Sequence, residues 1–220
     1  ANPNLFIDNV SSGGHRIDLE TASRAINLWR TDATIQPLLD GAFEQAALQN
    51  QVMTAGLSRF VPFTVSGQSG AAPYLFRSGF NAGISFCEDV RPEGYPRELL
   101  RQAIAEGKRI RKYFPGDLYA LCDITTRPED WCVLQYHRPE QADGMVLAFR
   151  RPAAPEAGFA LGALRGIEAA AEYEVTESRS YAPEPPLQMR GAALLEHSAR
   201  IAEQPGSLLL EYRRLPSSLP

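Results

Sequence analysis

An apolar run, Leu5-Phe6-Ile7, stops at Asp8 and Asn9 and opens into a small-residue loop, Val10-Ser11-Ser12-Gly13-Gly14-His15-Arg16-Ile17-Asp18. A second run, Ile26 to Trp29, again ends in charge, at Arg30 and Asp32. Carboxylates and an arginine at the C-terminal ends of successive buried strands are how a parallel α/β barrel builds an active site. Asp32 is therefore the leading candidate for a catalytic acid. The Ser-Ser-Gly-Gly stretch lets a backbone approach a bound molecule closely and offer N–H donors to hydroxyls. Each residue also has a plainer reading. Asp18 fits a helix N-cap, with Glu20 in the first turn favoured by the helix dipole. The loop could be a simple turn, and Arg30 beside Asp32 a surface ion pair of little worth.

The elements that would position these residues alternate along the first half. Leu38, Leu39, Ala42, Phe43, Ala46, Ala47, Val52 and Met53 recur at helical spacing, with Pro37 in the first turn and Gly56 ending the pattern. Phe60–Val65 reads as a strand, and Tyr74–Phe76 and Ile84–Phe86 bracket a further strand-like region. Pro96, Leu99, Leu100, Ala103, Ile104, Gly107 and Ile110 mark a strong helix. Strand–helix repeats of this kind imply parallel pairing with right-handed crossovers. Three or four units are too few to close an eight-stranded barrel. Beyond Tyr113-Phe114-Pro115-Gly116-Asp117 the pattern changes to short β-rich runs at Trp131–Tyr136, Met145–Phe149, Tyr173–Thr176 and Ser207–Tyr212. Without crossover helices between them, these suggest an antiparallel β-sandwich. The expected fold is α/β followed by all-β, with the boundary at residue 114.

Composition excludes several classes. Hydrophobic content of 44% and charged content of 22% are those of an ordinary globular protein. A net charge of −4, with no basic cluster longer than Lys108–Lys112, argues against a nucleic-acid partner. No apolar run is long enough to span a bilayer, so no membrane partner is expected. Cys87, Cys122 and Cys132 lack metal-ligand spacing and read as small buried hydrophobes, with a Cys122–Cys132 contact across adjacent strands conceivable. The three histidines form no ligand set. His15 lies in the loop of interest; His137 and His197 read as surface or structural. Neither metal nor cofactor is expected. The chain resembles the C-terminal piece of something longer, and the compartment stays open, with the cytoplasm favoured over secretion.

Val10 through Asp18 resembles, without gaps, the Cys-Ser-Ser-Gly-Gly-Gly-Arg-Phe-Asp loop of glycoside hydrolase family 36, the α-galactosidases or melibiases. Trp29-Arg30-Thr31-Asp32 resembles that family's Trp-x-Ser-Asp motif at the expected separation. Arg77-Ser78 after an aromatic, Tyr113–Asp117, Trp131–Tyr136 and Gly144–Arg151 continue the likeness in order. The series resembles the family's C-terminal part over nearly the whole chain, and Arg30 suits a bacterial branch.

The resemblance implies the last strand–helix units of a (β/α)8 barrel over residues 1–114 and a C-terminal antiparallel β-sandwich over 115–220. It implies a retaining hydrolase that releases terminal α-linked galactose, in which two carboxyls about 5 Å apart flank the scissile bond. Asp32 aligns with the general acid/base. Val10, Ser12 and Gly13 align with sugar-contacting positions; Ser11, Gly14, Trp29 and Arg30 complete the candidate substrate contacts. Trp29 is either barrel core or a platform for the sugar, and Arg30 is expected to orient substrate or tune Asp32. The family's nucleophilic aspartate belongs to an earlier barrel strand, so these 220 residues alone are expected to be inactive. Val10 replaces the usual cysteine and His15 the third glycine, which leaves the sugar's identity open. The partner implied is an α-galactoside oligosaccharide, with self-association of the full-length protein into a homo-oligomer left open. Two alternatives stand beside this. One is a non-catalytic carbohydrate-binding or structural module using Trp131 and Tyr136. The other is a relative acting as transglycosylase or α-N-acetylgalactosaminidase.

Overall fold

A computed structural model describes residues 2, 4–5, 7–10, 12–25, 28–81 and 83–216. The chain divides into two compact units, Ala1–Gly107 and Lys108–Pro220.

The first unit contains α1 (Leu19–Ala22), β1 (Leu28–Trp29), α2 (Ile35–Leu39), α3 (Phe43–Leu57), β2 (Thr64–Val65), β3 (Gly67–Gln68), α4 (Pro73–Ser78), β4 (Ser85–Phe86) and most of α5 (Arg97–Ile110). Its strands pair in parallel: Leu28 with Thr64 and Trp29 with Val65, then Gly67 with Ser85 and Gln68 with Phe86. The Trp29 amide also donates to the Asn9 carbonyl at 2.9 Å, which brings the first polar strand end beside β1.

The single helix expected after Asp32 is two. Asp40 to Ala42 break it, with Gly41 at φ +73°, and α3 runs one residue past Gly56. The burial along α3 falls on Ala46, Ala47, Asn50, Gln51, Thr54 and Ala55, a helical stripe of small and polar residues, while Val52 and Met53 are only half-buried. The strand-like reading of Tyr74–Phe76 is corrected: these residues lie in α4. Pro73 stands at its first position, where a missing N–H costs nothing and a fixed φ suits the helix. Arg77 of α4 and Glu106 of α5 form a bidentate pair at 2.7 Å and 2.7 Å, both side chains fully buried. Several large apolar side chains lie in water, among them Leu5, Val10, Leu19 and Phe60. Ile17, Leu19, Phe60 and Phe63 line one apolar groove of about 350 Å³.

The second unit holds β5 (Asp117–Ala120), β6 (Cys132–Arg138), β7 (Asp143–Arg150), β8 (Gly158–Ala160), β9 (Glu172–Ser178), β10 (Leu187–Arg190), α6 (Gly191–Glu196), β11 (Ser198–Arg200) and β12 (Gly206–Arg214). Six strands form an antiparallel sheet in the order β10-β9-β12-β7-β6-β5, and β8 pairs with β11. The four β-rich runs of the sequence are β6, β7, β9 and β12. Val146 and Ala148 of β7 and Leu208, Leu210 and Tyr212 of β12 alternate into one core. Leu161, Leu164, Leu194, Ala199 and Ile201 close that core. The intervening residues Leu147, Phe149 and Leu209 are buried too. Burial on both faces explains why these strands read as continuous apolar runs. Trp131 lies in the same core, 8% exposed, and its indole N–H donates to the Glu156 carbonyl at 3.1 Å.

Candidate active site

The loop and the second strand end meet in space. Asn9 closes the loop by donating from Nδ2 to the Arg16 carbonyl at 3.2 Å, and the Ile17 amide donates to the Gly14 carbonyl at 3.1 Å. Between them, Ser12–Gly14 form a tight turn in which Gly13 has φ +62° and Gly14 φ +89°. Those angles favour glycine, and space demands it. A Cβ on Gly13 would lie 2.9 Å from the Asp32 amide nitrogen and 3.3 Å from its Cγ; one on Gly14 would lie 2.6 Å from the Arg30 carbonyl oxygen. The glycine pair is thus laid directly on the Arg30–Asp32 strand end.

Asp32 is exposed there, and one of its oxygens accepts from the Trp29 indole N–H at 2.7 Å. Trp29 is half-buried and forms part of the wall of a hollow of about 310 Å³, with Asp8, Val10, Val65, Gly83, Ile84 and Ser85. That volume is at the lower end for small-molecule sites, roughly 300–1,000 Å³. The walls come from the ends of parallel strands and their loops, so the hollow, the tryptophan and the acid are neighbours on one rim. Of the sequence candidates, Val10, Gly13, Gly14, Trp29 and Asp32 come together here. Ser11 lies outside the described residues. Ser12 begins the tight turn.

Arg30 points elsewhere. Its guanidinium is 2% exposed and donates to Ser66 Oγ at 3.0 Å, Thr54 Oγ1 at 2.7 Å, and Asn50 Oδ1 at 3.1 Å. It is therefore neither a surface ion pair with Asp32 nor a side chain in the hollow. It pins β1 to α3 and to the residue after β2. Thr31 is buried as well, and its hydroxyl accepts from the Ala33 amide at 3.0 Å. Two inward residues flanked by Trp29 and Asp32 explain how so short a motif aims an acid outward.

Asp18 takes its plainer reading. It caps α1, accepting from the Thr21 amide at 2.8 Å, and that N–H holds its carboxyl below the usual range. His15 is exposed. Sequence reasoning named Asp8 as a strand end but missed Val65, Gly83, Ile84 and Ser85; two-residue strands leave no periodicity by which to find them. Among the described residues no group of three or more His, Cys, Asp or Glu side chains could hold a metal ion, and no helix is long and apolar enough to cross a membrane.

Compared with solved structures, the chain is similar in fold to part of the α-galactosidases of glycoside hydrolase family 36. Over 97% of its length it is similar to the galactosidase domain of the α-galactosidase–sucrose kinase AgaSK, with a TM-score of 0.69 and 20% identity. Over 93% it is similar to the family 36 α-galactosidase AgaB of Geobacillus stearothermophilus, at TM-score 0.67 and 17% identity. A variant of AgaA from the same organism, in complex with raffinose, matches 93% at TM-score 0.67 and 16% identity. The chain spans 29% of the first of these chains and 28% of each of the others. At such identity the likeness is one of fold. No family model and no curated protein matches the chain.

Proposed function

We propose that residues 1–114 are the closing part of a (β/α)8 catalytic barrel and that residues 115–220 form a C-terminal sandwich domain. The whole would be a retaining hydrolase that releases terminal α-linked galactose. The observation that carries this reading is the seating of Gly13 against Asp32, whose carboxylate is held by Trp29 at the rim of the hollow. In this reading Asp32 protonates the departing glycosidic oxygen and later takes a proton from the incoming water. A nucleophilic carboxylate about 5 Å away would come from another barrel strand, outside these residues. The Ser12–Gly14 turn would give backbone N–H groups to sugar hydroxyls, and Trp29 would both steer Asp32 and meet the sugar's apolar face. Arg30 would act from beneath, fixing the strand end that carries Asp32.

Two parallel strand pairs, β1 with β2 and β3 with β4, support the barrel part, as does the fold likeness to structures solved with raffinose and stachyose. The reading as a carbohydrate-binding module loses its aromatic platform, since Trp131 and Tyr136 are both buried. Val10, 60% exposed on the hollow, offers methyl groups where the family places a thiol, so the sugar accepted is the open variable. The deciding experiment assays the full-length protein on α- and β-linked aryl glycosides and on raffinose. Hydrolysis of raffinose that falls steeply with Asp32→Asn while aryl α-galactosides lose far less supports the proposal; a variant unaffected on raffinose removes it.

A further inference from the structure

The second unit carries a pair of thiols that the proposed hydrolase does not use. The β5–β6 register sets Tyr119 opposite Gln135 and Ala120 opposite Leu134. The Leu121 amide extends it by donating to the Val133 carbonyl at 2.9 Å, so Cys122 falls opposite Cys132. The Val133 amide does not return a bond to the strand; it donates to Cys122 Sγ at 3.2 Å. Cys122 and Cys132 thus stand as a cross-strand pair without mutual backbone bonds, the arrangement in which facing Cα atoms are closest, about 4.5 Å. A disulfide spans about 4.4–6.8 Å between Cα atoms, so no backbone movement is required. Directly opposite residues project to the same face, which sets the two thiols side by side.

Accessibility separates their roles. Cys122 is half-exposed and Cys132 is 2% exposed. The neighbouring Cys132 thiol, then the Val133 N–H, draws the Cys122 thiol down to about 7 against its partial burial, with Arg151 assisting and Asp123 opposing. The neighbouring Cys122 sulfur and burial push the Cys132 thiol up. One sulfur is a partly accessible nucleophile and the other a buried resolving thiol. Both stand at the base of the 123–131 loop, whose far part Arg151 holds by donating to the Thr125 and Arg127 carbonyls at 3.0 Å and 2.9 Å.

We propose that Cys122 and Cys132 are a reversible dithiol–disulfide site, oxidised by small-molecule disulfides, that staples the base of this loop. Cys122 thiolate attacks one sulfur of the oxidant, breaking its S–S bond and releasing one thiolate, which takes up the proton Cys122 lost. Cys132 then gives up its proton and attacks the Cys122 sulfur of the mixed disulfide, releasing the second thiol. Two electrons pass from the two cysteines to the oxidant, and two small thiols leave.

The test uses the whole chain carrying Cys87→Ser, which removes the exposed third thiol, incubated with oxidised glutathione and read by intact mass and peptide mapping. The expected result is loss of two hydrogens, a linked peptide containing both residues, and a drop of about tenfold or more in alkylation of Cys122. Adding Cys132→Ser should leave glutathione on Cys122, and Cys122→Ser should leave the protein unmodified. The unsubstituted chain, mapped in parallel, must show the same linked peptide. The proposal is overturned if Cys132 remains alkylatable beside a persistent mixed disulfide on Cys122. It is equally overturned if both thiols stay free while the same chain, unfolded in guanidinium, forms the bridge.

Discussion

Asp32 owes its direction to a hydrogen bond, and its backbone to a glycine. These separate in experiment. In the full-length protein, Asp32→Asn should cut hydrolysis of poor leaving groups by roughly 10²–10⁴, the usual share of a general acid, and that of activated aryl galactosides far less. Equal losses on the two substrate types, measured as kcat/KM, would remove the acid role. Trp29→Phe keeps the ring in the wall but deletes the donor to Asp32. It should lower kcat on poor leaving groups several-fold, with KM little changed. Gly13→Ala combines a left-handed backbone, costing about 1–2 kcal/mol for a side chain, with a clash against the Asp32 amide. Urea denaturation should show that modest cost, while kcat/KM falls further because the displaced atom belongs to the acid's own backbone.

At the level of elements, the sequence disclosed what periodicity can disclose and concealed the rest. α5, β6, β7, β9 and β12 announce themselves as long apolar patterns, and each lies where its pattern falls. α4 does not, because Tyr74-Leu75-Phe76 is too short a run to distinguish helix from strand, and only Pro73 before it argues for helix. α3 misleads differently: its buried stripe is Asn50, Gln51 and Thr54, which look like solvent-facing residues until Arg30 and Ser78 are found against them. The reach of Asp32 toward the loop was legible from strand ends alone. The inward turn of Arg30 was not, since its partners lie 20 to 36 positions further along the chain. The buried Arg77–Glu106 pair joins two of these helices. Arg77→Ala should cost about 3–5 kcal/mol, because it strands a buried carboxylate. A paired Arg77→Met, Glu106→Leu change should recover most of that in the same urea titration.

For the molecule as a whole, acid is the expected stress. His137 is 4% exposed, hydrogen-bonded to the Tyr212 hydroxyl at 3.0 Å, and burial holds its imidazole below the ordinary 6.5 despite Asp117 and Asp143 nearby. Below that pH the unfolded chain takes a proton the folded one refuses, so stability drops as pH falls through 6.5 toward the folded value. Glu177 acts lower. Its hydrogen bond with His197, at 2.7 Å, holds it under 4.5, so its stabilisation is present above that value and vanishes as pH falls through the folded one. Urea midpoints between pH 8 and 2.5 should therefore decline in two stages, and His137→Gln should flatten only the upper one. Leu19 and Phe60, 91% and 80% bathed in water along one greasy furrow, set a practical ceiling on handling this polypeptide by itself. Light scattering should register clumping that worsens with concentration, and glutamates at those two positions should keep the solution clear.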